Sequence, residues 1–580
     1  MKGINEIKAY HNRTKHHYHR YAPSLGHLDW ASQPDPFRRY VGSPRILLPF
    51  MEEDTSPPYE ALFAPVGLSP APVSRNTVGQ FFELSLALSA WKEFQGGRWS
   101  LRVNPSSGNL HPTEGYLAIG DLPGWEDSTG VTGKGEGMVC HYTPEDHALE
   151  IRTRFSRDVW ERLADGFPEG TFFFGLTSIH WREAWKYGER AFRYCQHDVG
   201  HALAAVRLSA AALGWGVIHL HNQADSEVAA LLGVDRDDGY QDLERETPDL
   251  LAAVVPAGSG SPVPAALSAN AVKQVADGRW MGKANRLSRD QVPWEAIEEV
   301  SEATKKPRTE SISFVEAPVC PEEHAETAPP DGLRCGSRSK PQTGTSARAI
   351  VLRRRSAVAM DGKAALSRAG FEGMLRRTLP HRSGGSGKPV PWDTVAWEAN
   401  VHLVLFVHRV EGLPPGLYLL VRNPEAESAL REALKKDFTW ERPADLDLPL
   451  YLLAKGDCRR VAGQLSCGQE IAASGVFSLG MLAEFEDSIR RHGPWHYKRL
   501  FWESGTIGQV LYLEAEAAGL RGTGIGCFFD DPVHELLGLS GMKFQSLYHF
   551  TVGGPVEDAR LTTLPPYTAQ QRGHPERRRN

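Results

Sequence analysis

At 580 residues the chain exceeds the roughly 250–300 residues at which one hydrophobic core stops growing, so two domains are expected. A formal net charge of -6, with 23% charged and 41% hydrophobic residues, is that of an ordinary globular protein and leaves no basic field for nucleic acid or anionic lipid. No stretch approaches the ~20 apolar residues of a membrane span, and the polar, His-rich start is unlike a signal peptide, so a cytoplasmic protein is the expectation.

In chain order, the first conspicuous feature is His16-His17-Tyr18-His19. No carboxylate or cysteine follows at a ligand spacing, so no metal site is expected there. Thr77 to Trp91 reads as a helix. Next comes Arg102-Val103-Asn104-Pro105-Ser106-Ser107-Gly108-Asn109-Leu110-His111-Pro112, small hydroxyl and glycine residues between prolines. Such a rigid polar turn can hold a ring edge or a phosphate, although alone it reads equally as a surface turn entering a strand at Gly115 to Ile119.

Val199, Ala202, Leu203, Val206, Ala210 and Leu213 recur at helical spacing on one face, and Ile507, Val510, Leu511, Ala515 and Ala518 do the same later in the chain. Aligned at an offset of 308, the two segments pair Gly200 with Gly508, Leu203 with Leu511 and Gly214 with Gly522, which points to an internal duplication. Each runs into glycines, Gly214-Trp215-Gly216 and Gly522-Thr523-Gly524-Ile525-Gly526, read as helix stops that also allow close backbone approach.

Between the two halves the apolar periodicity disappears. Residues 301–345 have the Pro, Gly, Ser and charge content of a linker, which gives a first domain over 1–300, a second over 346–567 and a basic tail over 568–580. The second domain opens with Leu352-Arg353-Arg354-Arg355-Ser356, whose guanidinium forks and hydroxyl suit a phosphate. A helix over Lys363 to Arg377 and buried strands at Val401 to Val407 and Tyr548 to Val552 follow. The seven cysteines are scattered and odd in number, so reduced thiols are expected. Trp181, Trp185, Phe192 and Tyr194 read as core.

Together these segments resemble the nitroreductase superfamily of flavin enzymes, specifically its SagB-type dehydrogenase branch in a tandem arrangement. The resemblance rests on the Pro-Ser-Ser-Gly-Asn turn, on Trp185 to Tyr194 with Asp198, Gly200 and His201, on the Arg-Arg-Ser segment, on Glu411 to Tyr418, and on Ala518-Gly519-Leu520 with the glycines beyond. It implies an α+β fold of two fused nitroreductase-like domains that form an intramolecular pseudo-dimer around flavin mononucleotide (FMN).

In this family one subunit gives the phosphate site and ring-side backbone while the other lends the serine-rich turn. Carried over, Arg354, Arg355 and Ser356 would bind the phosphate. The backbone of Gly524, Ile525, Gly526 and Cys527 would lie near the reactive N5, and Pro105, Ser106, Ser107, Gly108 and Asn109 would reach in from the first half. Arg102 would serve the phosphate or the ring, and Arg560 would be the late basic ligand. Lys186, Tyr187, His201 and Tyr497 would be the acid–base candidates.

The first half has no Arg-x-Ser segment, and Arg382 to Gly387 of the second does not match the turn, so one flavin per chain is expected. The resemblance further implies a two-electron reaction on a small-molecule or peptide-derived substrate, with NAD(P)H as a candidate donor and further homo-oligomerisation left open. A non-catalytic binding protein and a flavin-modifying enzyme are the rival readings.

Overall fold

Two antiparallel sheets with the same strand order make up the computed structural model, which describes residues 3–63, 68–121, 125, 135–240, 243–256, 262–309, 314–316, 344–381, 387–568 and 571–572. The first sheet contains β1 (Arg45–Leu47), β2 (Thr113–Ile119), β3 (Glu136–Thr143), β4 (Ala148–Ser156), β5 (Phe172–Ser178), β6 (Gly216–His219) and β7 (Thr247–Val255), ordered β1-β4-β3-β2-β5-β7-β6. The second contains β8 (Val401–Val407), β9 (Gly416–Leu420), β10 (Leu450–Lys455), β11 (Phe477–Glu484), β12 (Arg521–Ile525) and β13 (Phe544–Gly553), ordered β10-β9-β8-β11-β13-β12. Apart from the extra edge strand β1, the sheets superpose element for element.

The helices are duplicated in the same way. The first half contains α1 (Ile4–Arg13), α2 (His180–Tyr187), α3 (Ala191–Ala212), α4 (Asp225–Leu232) and α5 (Glu295–Ala303). The second contains α6 (Ala347–Arg353), α7 (Phe485–His492), α8 (His496–Ala517) and α9 (Asp530–Leu537). β5 and β11, α2 and α7, α3 and α8, and α4 and α9 each begin 305 residues apart, as with Ala191 and His496.

The duplication is therefore real, but its register is 305 and not the 308 expected from sequence. A three-residue shift is close to one helical turn, so it leaves the apolar face aligned and hides the error. The helix ends fix the register. Gly214 (φ 70) and Gly519 (φ 72) terminate α3 and α8 in the left-handed region, with Trp215 N donating to Ala210 O and Leu520 N to Ala515 O at 2.8 Å in both cases. The glycines from 522 onward do not stop a helix, because Gly519 has already done so; Gly522 and Gly524 lie within β12.

α3 and α8 are buried along almost their whole length, on every face, because each is sandwiched between its own sheet and the other helix. They cross at Gly200 and Gly505, which are equivalent residues in the true register. A Cβ on Gly200 would lie 2.2 Å from Trp502 O, and one on Gly505 would lie 2.1 Å from His197 O, so neither position has room for a side chain. Trp502 Nε1 donates to Gln196 Oε1 at 2.6 Å and Thr506 Oγ1 to Gly200 O at 3.2 Å across the same seam.

A reciprocal pair of buried ionic contacts brackets the crossing. Asp530, at the start of α9, accepts from Arg190 and Arg193 of the first half at 2.9 Å each; Asp225, at the start of α4, accepts from Lys498 of the second half at 2.7 Å. Arg193 and Lys498 are equivalent positions, as are Asp225 and Asp530. Burial pushes the Asp530 carboxyl up, but the two guanidinium groups outweigh it and hold the net value below the usual carboxylate range.

Each half also lends a terminus to the other. Thr562–Leu564 pairs antiparallel with Leu88–Phe94, and the Tyr567 hydroxyl donates to Pro144 O at 2.7 Å. In return α1, packed on α5, and the residues after it reach the second half, where Lys8 pairs with Glu486 and Lys15 with Asp531.

Several local expectations are corrected. The helix expected over Thr77 to Trp91 is Arg75–Glu83, capped by Ser74; Trp91 instead belongs to Leu88–Phe94, a strand that turns at Gln95 (φ 47) and Gly96 (φ 82) into Gly97–Arg102. The helix expected from Lys363 begins at Arg368, where the Ser367 side chain accepts from Gly370 N. Residues 301–309 complete α5 and bury Lys306 in the first half; the remainder of the expected linker, 310–313 and 317–343, and tail residues 573–580 lie outside the described residues.

Gly505→Ala is expected to destabilise the protein by about 3 kcal/mol, the upper end of ordinary overpacking, because the added methyl meets backbone. Gly373→Ala, on a helix with nothing within 4 Å of the added methyl, is expected to stabilise by up to about 1 kcal/mol. Chemical denaturation of both variants checks the contrast; a neutral Gly505→Ala would contradict the close crossing.

Candidate functional site

After α6 the chain leaves helical geometry at Arg354 and runs beside β12, the edge strand of the second sheet. Ser356 bridges Gly522 in parallel, Ala357 N donates to Gly522 O at 3.2 Å, and Thr523 Oγ1 donates to Ala357 O at 2.8 Å. The Tyr512 hydroxyl, from α8, accepts from Gly524 N at 2.9 Å and lies 3.0 Å from Ser356 Oγ. Arg354, Ser356 and the glycine strand thus form one wall.

The first half holds this wall in place. Arg354 Nη2 donates to Arg102 O at 3.0 Å, and Arg355 Nη2 donates to Ser89 O at 2.8 Å. Neither guanidinium has an ion-pair partner among the described residues, and Arg354 Nε is buried without a hydrogen bond. Burial lowers the Arg354 pKa; burial and the neighbouring Arg354 charge pull Arg355 down to about 10. Two cations depressed in this way, beside the exposed Ser356 hydroxyl, favour an anion.

The opposite wall is the serine-rich turn. Gly108 (φ 59) and Asn109 (φ 63) are left-handed, and a Cβ at Gly108 would lie 2.5 Å from Tyr187 Oη and 3.1 Å from Lys186 Nζ. Ser107 N donates to Asp198 Oδ1 at 3.3 Å, Ser106 Oγ lies 3.4 Å from Glu183 Oε1, and His111 N donates to Ser106 Oγ at 2.8 Å. Pro105 opens the turn and Asn109 closes it, its amide donating to Ser100 O.

Side chains from α3 join the walls. His201 Nε2 lies 3.2 Å from the Tyr548 hydroxyl, and the His197 ring stacks on Tyr548 at 4.2 Å. Tyr548 in turn covers Gly524, where a Cβ would lie 1.9 Å from its hydroxyl oxygen, and Tyr194 covers Gly526 at 2.2 Å. Contacts therefore run from Arg354 through Tyr512, Gly524 and Tyr548 to His201, which stands three residues along α3 from Asp198 beside the turn. Both ring nitrogens of His197 and the Nδ1 of His201 are buried without partners. Burial, reinforced by Arg354, pulls His201 down to about 3, so its imidazole is neutral.

Other expected residues stand elsewhere. The Arg102 guanidinium donates to Thr113 O and Pro36 O, so its charge holds backbone of the first half. Tyr497 lies beside His11 at 3.2 Å in the core, and Arg560 pairs with Asp558 on the surface at 2.8 Å; no contact ties either to the cluster. Ile525 is buried in the sheet opposite His549. Cys527 O accepts from Gln469 Nε2 at 3.1 Å, while its thiol, hydrogen-bonded to Cys467 and His16, is pulled down to about 5. His16 Nδ1 accepts from Ala22 N at 2.9 Å.

Sequence reasoning missed Glu183, Asp198 as an ionisable group, Tyr512 and Tyr548. The Asp198 carboxyl is raised to about 8 by burial, and Glu183 rises through burial and the neighbouring Asp198. Asp198 Oδ2 and Glu183 Oε2 are both without hydrogen-bond partners among the described residues, so burial favours the protonated form of both carboxyls.

The pseudo-symmetric twin of this site is closed. In the true register Gly522 and Gly524 correspond to Val217 and His219, and the His219 ring sits 6.0 Å from both Trp397 and Trp502. The pocket beside them, lined by His219, Lys306 and Trp502, holds about 10 Å³. Arg382 to Ser386 lie outside the described residues.

Residues 413–554 match the model of the Nitroreductase family. The matched span includes Tyr512, Gly522 to Gly526 and Tyr548, while Arg354 to Ser356 precede it. A provisionally named nitroreductase of Methanocaldococcus jannaschii is 28% identical over 136 residues, covering 22% of this chain and 63% of that protein. The crystal structure of a provisionally named nitroreductase from Anabaena variabilis aligns with 95% of this chain and 99% of its own at a TM-score of 0.62 and 21% identity. The nitroreductase fold therefore extends beyond the matched domain to most of the chain, in agreement with the twin sheets.

The raised Asp198 pKa has a sign that can be tested. A carboxyl near 8 when folded, against 3.8 as the ordinary value, gives stability that is complete below about pH 4 and lost as pH rises through 8. Thermal melts of the wild type are expected to fall between pH 6 and pH 9, and those of Asp198→Asn to fall less; identical slopes would contradict the assignment.

Proposed function

We propose that the protein is an FMN-dependent oxidoreductase of the SagB-type nitroreductase class, with one cofactor clasped between its two halves. The observation that carries this reading is the pair of Arg354, buried, and Arg355, half-buried, neither with a carboxylate partner among the described residues, beside the Ser356 hydroxyl and the glycine strand. A phosphate would satisfy their charge and the free Arg354 Nε. The backbone from Gly524 to Cys527, beyond the stretch paired with Ser356 and Ala357, and the turn Pro105 to Asn109 would flank a planar ring.

Bound FMN would supply two-electron chemistry at this position. The rest is the work of side chains. Tyr512 holds Ser356 and Gly524 in register, and Tyr548, fixed by His197 and His201, limits access to the strand. The protonated Asp198–Glu183 pair stores a proton beside the Ser106–Ser107 turn, where Lys186 and Tyr187 also lie. The substrate is a small molecule or a peptide-derived group, and NAD(P)H is the proposed donor when the reaction runs as a reduction.

Fluorescence titration with FMN tests this reading. Wild-type protein is expected to be yellow as purified and to rebind the cofactor after stripping. Arg354→Ala is expected to weaken binding about tenfold or more and Ser356→Ala about fivefold, the loss of a charged and a neutral hydrogen bond respectively. Colourless protein that takes up no FMN would overturn the proposal.

A further inference from the structure

Two loops that meet at the start of α9 each carry a half-buried cysteine. Cys467 follows the helix Arg459–Leu465, and Cys527 follows β12. Phe529 N donates to Leu465 O at 2.8 Å and Gln469 Nε2 donates to Cys527 O at 3.1 Å, so the loops are tied on both sides of Cys467. The residues next to the cysteines share one anchor: Ser466 Oγ lies 3.2 Å from His549 Nδ1, and the Phe528 ring stacks on the same imidazole at 4.4 Å. Held in this way, the two thiols face one another, and both are free. Cys467 is left-handed (φ 54), a conformation that a residue with a side chain keeps only where its surroundings impose it.

The surroundings distinguish the two sulfurs. Arg190 Nη2 donates to Gly526 O at 3.3 Å, and its guanidinium lies 4.8 Å from the Phe528 ring, so a fixed cation stands against both neighbours of Cys527. His16 is pinned to Asp530 by backbone on both sides, its N donating to Oδ2 at 2.9 Å and its O accepting from Asp530 N at 3.0 Å. Because His16 Nδ1 accepts from Ala22 N at 2.9 Å, the ring proton of the neutral imidazole is on Nε2, and that N–H is left to donate to the Cys527 sulfur. Cys467, His16 and Arg190 together outweigh burial and lower the Cys527 thiol, while the same pairing and burial raise Cys467. Cys527 is therefore the thiolate and Cys467 the thiol.

The other described cysteines lack this arrangement. Cys140 and Cys195 are fully buried, and the Cys458 thiol, donating to Gly416 O at 3.3 Å, is pushed up to about 11 by burial.

We infer that Cys527 and Cys467 form a thiol–disulfide exchange site that small organic disulfides oxidise, a function separate from the flavin chemistry proposed above. The Cys527 thiolate attacks one sulfur of the incoming disulfide; the S–S bond of the small molecule breaks, a mixed disulfide forms on Cys527, and one small thiolate leaves. Cys467 then attacks Cys527 Sγ; the mixed disulfide breaks, the Cys467–Cys527 bond forms, and the Cys467 proton leaves with the second small thiol. The small disulfide gains the two electrons that the pair loses. Tyr21, 5.0 Å from the His16 ring and 5.9 Å from Phe529, stands beside the half-buried sulfurs, which fits a small reagent better than another protein.

Peptide mapping by mass spectrometry tests this directly. Reduced full-length protein is treated with bis(hydroxyethyl) disulfide without air, and the remaining thiols are blocked with N-ethylmaleimide. The wild type is expected to give a Cys467–Cys527 cross-link that dithiothreitol reverses, with no lasting adduct on either residue. Cys467→Ser is expected to trap the mixed disulfide on Cys527, and Cys527→Ser to slow modification of Cys467 about tenfold or more. No cross-link in the wild type, a lasting adduct on its Cys527, or equally fast modification of Cys467 in Cys527→Ser would overturn the proposal. The wild-type map decides the matter if either variant does not fold. The exchange involves no flavin, so its failure is distinct from failure of the FMN titration.

Discussion

The crossing of α3 and α8 at Gly200 and Gly505 sets the position of everything else. Backbone meets backbone there, so the two sheets are held at a separation that leaves no freedom for sliding. Asp198 and His201 sit on α3 and Tyr512 on α8, within one or two turns of that contact. The two walls of the candidate site are therefore positioned by one helix pair, and the buried ion pairs at Asp225 and Asp530 lock its ends. Removing one partner of such a pair leaves an uncompensated buried charge, a cost of about 3–5 kcal/mol.

A duplicated frame with two equivalent pockets has been used asymmetrically. Gly522 and Gly524 leave room for the Phe550, Tyr512 and Tyr548 rings on one side, where Val217 and His219 stand on the other. Behind α2 and α7, α5 packs the first half as α1 packs the second, but Ala184, Ser226 and Ala229 leave a cavity of about 560 Å³ where Ile489, Asp531 and His534 stand in the second half. Small residues open a cleft and large ones close it, and the two halves have made opposite choices at each place. The exchanged termini, α1 and the residues after it reaching the second half and Thr562–Leu564 the first, make the halves one unit.

Much of this was legible in the sequence. The two halves followed from length and linker composition, the duplication from helical periodicity and repeated glycines, and the α+β fold from the family resemblance, while the strands at Val401 and Tyr548 lie where the apolar runs put them. The turn and the Arg-Arg-Ser segment could be matched to a family by local pattern. The register could not, because a three-residue slip preserves the apolar face; only the left-handed Gly214 and Gly519 reveal it. Tyr548 and Tyr512 were invisible as site residues, since an aromatic in a strand or helix reads as core until its hydroxyl is seen above Gly524. Tyr497 misled for the converse reason: its helix enters the site, but its own turn faces His11. Arg560 was chosen by nearness in sequence, and its partner Asp558 keeps it at the surface.

The central claim is that both halves together build a single cofactor site. Counting the flavin released per chain, on protein whose particle mass has been measured by light scattering, tests it most directly. One FMN for each 64.1 kDa chain is the result the proposed site predicts. Two per chain would mean that the His219 side opens to accept a second, and none would mean that the paired arginines serve some other anion.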